Sequence, residues 1–191
     1  MMFSSGSCVV YPTGAGAMVP VELGPLERCT GATFFPDGKN LLIVGNEPGK
    51  PVRAYRASFP GGTPQVFLPE GADPRHISAS GRSVLGRDAT GTWVRFDIGG
   101  SSTPVKGLVP GDSLLDWSAD EQTAVVGNGR TVPTQVYRVQ LDTGTRTKLA
   151  DLAPEDRAGV LAVVASAYRD NGRQYIYSYT RRVSALYLIT R

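Results

Sequence analysis

Phe35-Pro36-Asp37-Gly38-Lys39 runs into the apolar stretch Leu41-Leu42-Ile43-Val44, and this passage sets the architecture. A proline that presets φ, an aspartate and a glycine make a tight reversal. The apolar run after it reads as a strand covered on both faces. The same grammar recurs along the chain. Ser78-Ala79-Ser80-Gly81-Arg82 precedes Val84-Leu85, and Trp117-Ser118-Ala119-Asp120-Glu121 precedes Ala124-Val125-Val126. Tyr168-Arg169-Asp170-Asn171-Gly172-Arg173 precedes Tyr175-Ile176-Tyr177. Taking Gly38, Gly81, Glu121 and Gly172 as equivalent gives steps of 43, 40 and 51 residues. Repeats of that length, each holding several short strands, are the mark of β-propeller blades.

Working outward, a first blade of four antiparallel strands spans about 29–67, with strands expected at 32–35, 41–45, 52–58 and 65–67. Gly61-Gly62 and Gly99-Gly100 mark the last turns of the first two blades. The second blade spans about 72–106 and the third about 113–150. Partial blades flank them at 7–23 and 161–190, the latter with strands at 161–167, 174–179 and 184–190. Helices are expected to be nearly absent, and the one helical candidate, 154–161, is short enough to be a loop or a single turn. The expected fold is therefore all-β, a single propeller domain over 1–191, as a small closed ring or an open fragment. A terminal blade must be capped or joined. A strand at 18–23, given to the C-terminal blade as its fourth, would close a ring of about four blades.

Composition bounds the function. Hydrophobic residues make up 41% of the 191 residues and charged residues 19%, which suits an ordinary globular chain. The net charge is +3, and Lys and Arg are scattered rather than clustered, so nucleic acid is not an expected partner. No stretch reaches the ~18 apolar residues of a membrane helix. Met1-Met2-Phe3-Ser4-Ser5-Gly6-Ser7 lacks the basic region and apolar core of a signal peptide, so the chain as written is expected to be cytoplasmic. Cys8 and Cys29 are the only cysteines, and two free or buried thiols are expected. A single bridge requires their strands to adjoin.

Chemistry-bearing motifs are sparse. Gly14-Ala15-Gly16 lacks the third glycine and the helix of a kinase phosphate loop. Gly81-Arg82-Ser83-Val84-Leu85 and Gly111-Asp112-Ser113-Leu114-Leu115 both lack the second glycine of a nucleophile elbow. His76 is the only histidine, and it reads as structural or solvent-facing. One His and two Cys without ligand spacing give no zinc site. Asp37-Gly38 and Asp142-Thr143-Gly144 read as turns rather than calcium loops. Asp88-Ala89-Thr90-Gly91-Thr92-Trp93 is faintly similar to the Asp-box of sialidases, but its spacing is off by one and a hairpin explains it. Asp37, Asp88, Asp116 and Asp120 are the acids open to carboxylate chemistry, and each is explained by a turn or a strand edge. Trp93, Trp117, Tyr137, Tyr175, Tyr177, Tyr179 and Tyr187 sit at strand positions that suit packing between blades. No catalytic, cofactor-binding or metal-binding residue is expected, and no cofactor.

The chain resembles the TolB-like, WD-repeat-like propeller at the C-terminus of bacterial eukaryotic-type serine/threonine protein kinases. Pro12-Thr13-Gly14-Ala15-Gly16, Phe35-Pro36-Asp37-Gly38-Lys39 and Gly45-Asn46-Glu47-Pro48-Gly49 carry the resemblance, with Asp116-Trp117-Ser118-Ala119-Asp120 and the run from Val136 to Gly144. The most specific segment is the closing one, from Asn171 to Leu188. The kinase domain is not among these residues. The resemblance implies a sensor-like, extracytoplasmic region with no catalytic residues. The expected function is a non-enzymatic binding or scaffold module for a protein, peptide or small ligand. A kinase domain in cis or in trans is a further expected partner. Arg53, Arg75 and Arg95 are expected to affect binding rather than folding. The alternatives are a regulatory portion of such a kinase, and a propeller hydrolase acting on carbohydrate or peptide.

Overall fold

The computed structural model describes residues 2–4, 7–129, 131–169 and 173–184. Among them every regular element is a strand. Strands β1 (Met2–Ser4), β2 (Ser7–Val10) and β3 (Val19–Pro20) form a three-stranded antiparallel sheet. Strands β4 (Arg28–Phe34), β5 (Asn40–Asn46), β6 (Arg53–Ser58) and β7 (Gln65–Val66) form the first four-stranded blade. The second holds β8 (Asp73–Ile77), β9 (Ser83–Arg87), β10 (Trp93–Asp97) and β11 (Ser102–Pro104). The third holds β12 (Ser113–Trp117), β13 (Thr123–Gly127), β14 (Thr134–Gln140) and β15 (Arg146–Leu152). A two-stranded hairpin, β16 (Val160–Arg169) and β17 (Gln174–Arg181), follows. Each four-stranded sheet is an antiparallel meander in chain order, as in a propeller blade, and no sheet is closed among the described residues. The chain divides into two compact units, Met1–Val105 and Lys106–Arg191.

The repeated turn explains the repeated sequence. Phe35, Ser78 and Ser118 each accept, through their carbonyl, the N–H three residues on, from Gly38, Gly81 and Glu121 at 2.9–3.0 Å. Each also donates its own N–H five residues on, to Asn40, Ser83 and Thr123 at 2.8–2.9 Å. The fourth turn residue is left-handed in all three, with φ of 64°, 70° and 61°. Glycine takes that conformation freely, whereas Glu121 holds it as the one non-glycine residue with positive φ among those described. Asp37, Ser80 and Asp120 accept the N–H two residues ahead with their side chains, at 2.8–3.2 Å. The sequence alignment through Gly38, Gly81 and Glu121 is thus one backbone shape. Gly172 lies outside the described residues.

A second repeat is visible only in three dimensions. The innermost strand of each blade carries a β-bulge, with Arg75 inserted in β8 and Leu115 in β12, both three residues before the turn. In β16 one of two bulges falls at Ser166, so the spacing from Arg75 through Leu115 to Ser166 repeats the 40- and 51-residue steps of the turns. In β4 the inserted residue is Thr30, two residues further from its turn. Gly45 and Gly86 face the bulged strands so closely that a Cβ would strike the carbonyls of Arg28 and Asp73.

In the first unit, β5 is buried on both sides, as its unbroken apolar run requires. Leu41 and Ile43 join Cys8, Val21, Cys29 and Tyr55 in one cluster, while Leu42 joins Phe35, Ala54, Val84 and Phe96 in another. The expectation of free thiols is corrected. Cys8 on β2 and Cys29 on β4 are disulfide-bonded, with Cα atoms 5.8 Å apart, because the two strands pack side by side. The strand expected at 18–23 is reduced to Val19–Pro20, and it pairs with β2 in the N-terminal sheet. Pro12 to Gly16 is irregular, and a strand at Met2–Ser4 not foreseen from the sequence extends this sheet.

In the second unit, Leu115, Val136 and Leu152 of the third blade pack against Ala165 and Tyr168 of β16. Thr134 is fully buried, and its Oγ1 donates to the Val163 carbonyl at 2.6 Å, tying β14 to β16. The loop before β12 is pinned to β15 by Arg146. Its Nη1 donates to Asp112 Oδ2 (2.7 Å) and to the Gly107 carbonyl (2.7 Å), and its Nη2 donates to Asp112 Oδ1 (3.1 Å). The helical candidate at 154–161 is a loop ending in a single turn. Val160 N–H closes a turn on the Arg157 carbonyl, Gly159 is left-handed, and the strand has begun by Val160. The strand expected at 184–190 lies, Ser184 apart, outside the described residues, as does Tyr187.

Candidate binding groove

The acids singled out in the sequence separate by role. Asp37, Asp88 and Asp120 hold turns together. The Lys39 N–H, then the Asn40 side chain, hold the Asp37 carboxyl below its ordinary value. For Asp88 the main cause is the Thr90 hydroxyl (2.6 Å), and for Asp120 it is the Ser118 hydroxyl. Asp88 Oδ1 also accepts the N–H groups of Thr90 and Thr92, so the Asp-box likeness is a hairpin turn. Asp116 has no such task. It occupies a repeated station two residues before the turn, where β4 has Thr33 and β8 has His76.

His76 is half-buried and lines, with Arg75 and Thr33, a depression of about 200 Å³ in the first unit. The three arginines take different places. Arg53 Nε donates to the Leu68 carbonyl (3.2 Å), and its Nη1 lies 3.5 Å from Glu70, so it clips β6 to the chain leading out of the blade. That is a fold-holding role, where a binding role alone was expected. Arg95 pairs with Asp97 at 3.2 Å, and the half-exposed Arg75 pairs with Asp73.

The larger concavity belongs to the second unit and has a volume of about 460 Å³. Residues directly opposite in an antiparallel pair share a face. Asp116 pairs with Val125, and Val125 pairs with Arg138, so these three form one row across β12, β13 and β14. Thr123 and Gln140 form the next row on that face, nearer the turn. Ser118 closes this end, its Oγ accepting the Thr123 N–H at 2.9 Å. Tyr168 and Arg169, from the far end of β16, make the other wall. The groove is thus polar at the turn end, with two guanidiniums and one carboxylate among the described residues. It grades into the apolar contact of Val136 and Leu115 with β16.

Beside it the hairpin carries a ladder of tyrosines. Ring centroids lie 6.5 Å apart from Tyr168 to Tyr175, 6.2 Å from Tyr175 to Tyr177 and 6.5 Å from Tyr177 to Tyr179. The expectation of core packing holds for Trp93 and Trp117, which are buried, as is Tyr168. It fails for Tyr175 and Tyr179, which are half exposed at 50% and 49%. A two-stranded sheet has too little partner surface to cover its outer residues.

Sequence reasoning missed Arg138 and Arg169 as groove residues. The available signal was phase, because Arg138 sits at the same alternation as the buried Val136 and Thr134 and so points a charge to the packed side of β14. Among the described residues no group of three His, Cys, Asp or Glu is placed to hold a metal ion, and no helix is long and apolar enough to cross a membrane.

No protein-family model matches the chain, and no curated protein matches it by sequence. Solved structures do. The chain is similar to a putative TolB from Agrobacterium tumefaciens, at 23% identity and a TM-score of 0.60, over 79% of this chain and 57% of that one. It is also similar to TolB from Acinetobacter baumannii, at 17% identity and a TM-score of 0.54, over 86% of this chain and 43% of that one. The chain therefore spans about half the length of these structures. At such identities the likeness speaks to fold alone, and the fold is that of a TolB-like β-propeller.

Proposed function

We propose that the chain is a non-enzymatic propeller binding module whose recognition surface is the groove of the third blade. The supporting observation is the groove itself. Its volume of about 460 Å³ falls within the range of ligand sites, and Arg138 and Asp116 are held in a rigid cross-strand row. A hydrolase acting through two carboxylates needs a second acid across the scissile bond. Among the described residues Asp116 is the one acid lining the groove, and Asp37, Asp88 and Asp120 are engaged in turns. The reading is tested by selecting a random peptide library on the immobilised chain and on an Arg138→Ala/Arg169→Ala variant of equal melting temperature. Sequences enriched by the wild type and not by the variant are expected. Enrichment equal on both, or none, overturns it.

The resemblance to kinase C-terminal propellers supplies a second reading, in which the module is the sensor portion of a bacterial serine/threonine kinase. The Cys8–Cys29 disulfide favours it, because structural disulfides persist in oxidising, extracytoplasmic settings. Sequencing the DNA upstream of the Met1 codon tests it. An in-frame kinase domain supports this reading, and an in-frame stop codon beside a ribosome-binding site removes it.

A further inference from the structure

Charge in the groove is unbalanced in one direction. Among the described residues, Arg138 and Arg169 line it against the one carboxylate of Asp116. The adjoining hairpin extends the bias, since residues 160–182 carry Arg169, Arg173, Arg181 and Arg182 against Asp170 alone. One of these cations, Arg181, is paired with Asp156. The ladder of tyrosines stands on the hairpin face that bears Val163 and Ala165, the face packed on the third blade. It therefore continues the groove wall formed by Tyr168. Every residue of β17 except Tyr177 is exposed. The rings of the ladder lie against one another at 15–38°, so they offer edges and hydroxyls more than free faces. That arrangement suits an extended backbone with side chains better than the stacked bases of a nucleic acid, which need open ring faces.

From this, and resting on the reading of the groove as the recognition surface, we infer that its ligand is an extended acidic peptide segment. The segment lies along the tyrosine ladder and delivers a carboxylate to Arg138 and Arg169. Guanidinium–carboxylate contacts of this kind are short, directional and charge-assisted, and they set specificity by charge sign. Asp116 limits the carboxylates accepted at the inner end, because like charges repel there.

The test is a fluorescence-anisotropy titration of the full chain with labelled, end-capped octapeptides of alternating Glu and Thr, of alternating Lys and Thr, and with an oligothymidylate. The Glu–Thr probe is expected to bind and the Lys–Thr probe not to. Arg138→Gln and Arg169→Gln should each weaken the Glu–Thr probe by about tenfold. Asp116→Asn should tighten it by about threefold, a gain that a misfolded variant cannot imitate. Equal binding of both peptides, tighter binding of the oligothymidylate, or affinities unmoved by the three substitutions would overturn the inference. If the peptide library instead yields groove-dependent but neutral or basic sequences, the binding module stands and the acidic ligand falls.

Discussion

At the scale of the residue, the turns separate what backbone demands from what chemistry supplies. Glu121 holds the left-handed station that Gly38 and Gly81 fill in the other blades. That conformation strains a residue bearing a Cβ by about 1 kcal/mol. Glu121→Gly is therefore expected to raise stability by about 0.5 kcal/mol, after the extra freedom glycine gives the unfolded chain, and thermal unfolding reads it directly. The turn aspartates make a separate prediction. Asp37 and Asp120 have folded-state values below the ordinary 3.8, because N–H and hydroxyl groups donate to their ionised form. Their contribution is complete above pH 3.8 and is lost as pH falls through the lower folded values. In acid titrations followed by circular dichroism, Asp37→Asn/Asp120→Asn should flatten the loss of stability below pH 3.8. The turns were legible because every determinant lies within six consecutive residues, and even the departure from glycine at Glu121 kept the pattern. The groove was not, because Arg138 stands 22 residues from Asp116 and 31 from Arg169; strand register joins the first two, and the packing of β16 on the third blade brings up the third.

At the scale of the element, side-chain ties add to the ladder and the apolar packing that hold a blade. Arg146 and Asp112 illustrate this in the third. Asp112 is 5% exposed and accepts two guanidinium hydrogen bonds besides the Val109 N–H at 2.9 Å. The carboxylate beside it holds the Arg146 guanidinium in its charged form more firmly than in water. Removing one partner leaves a buried charge, so Arg146→Ala should destabilise the chain by about 3 kcal/mol. Asp112→Asn in the Arg146→Ala background should recover part of that loss, and denaturant unfolding of the two variants checks both values. The strand pattern of the three blades was legible from alternation and from Gly-rich turns. The bulges were not, because an inserted residue such as Arg75 or Leu115 leaves no mark in composition. The stretch 154–161 stayed open between a helix and a turn because its eight residues do not reveal the strand pairing of Val160 with Arg181.

At the scale of the whole molecule, the repeat reported the architecture because three turns of one shape recur 43 and 40 residues apart. The bridge between Cys8 and Cys29 escaped it, since the adjacency of β2 and β4 is a tertiary fact. Closing a span of 21 residues, the disulfide should contribute about 3 kcal/mol by restricting the unfolded chain. Cys8→Ser/Cys29→Ser should lower the melting temperature by several degrees, and reductant should do the same to the wild type but not to the variant.

The most direct test of the account is a map of amide chemical shifts in the isotope-labelled chain as the Glu–Thr octapeptide is added. The account predicts perturbations concentrated at Asp116, Arg138, Gln140, Tyr168, Arg169 and along β17, with the first two blades unmoved. Shifts centred on the depression around Arg75 and His76, or spread evenly over the blades, would contradict it.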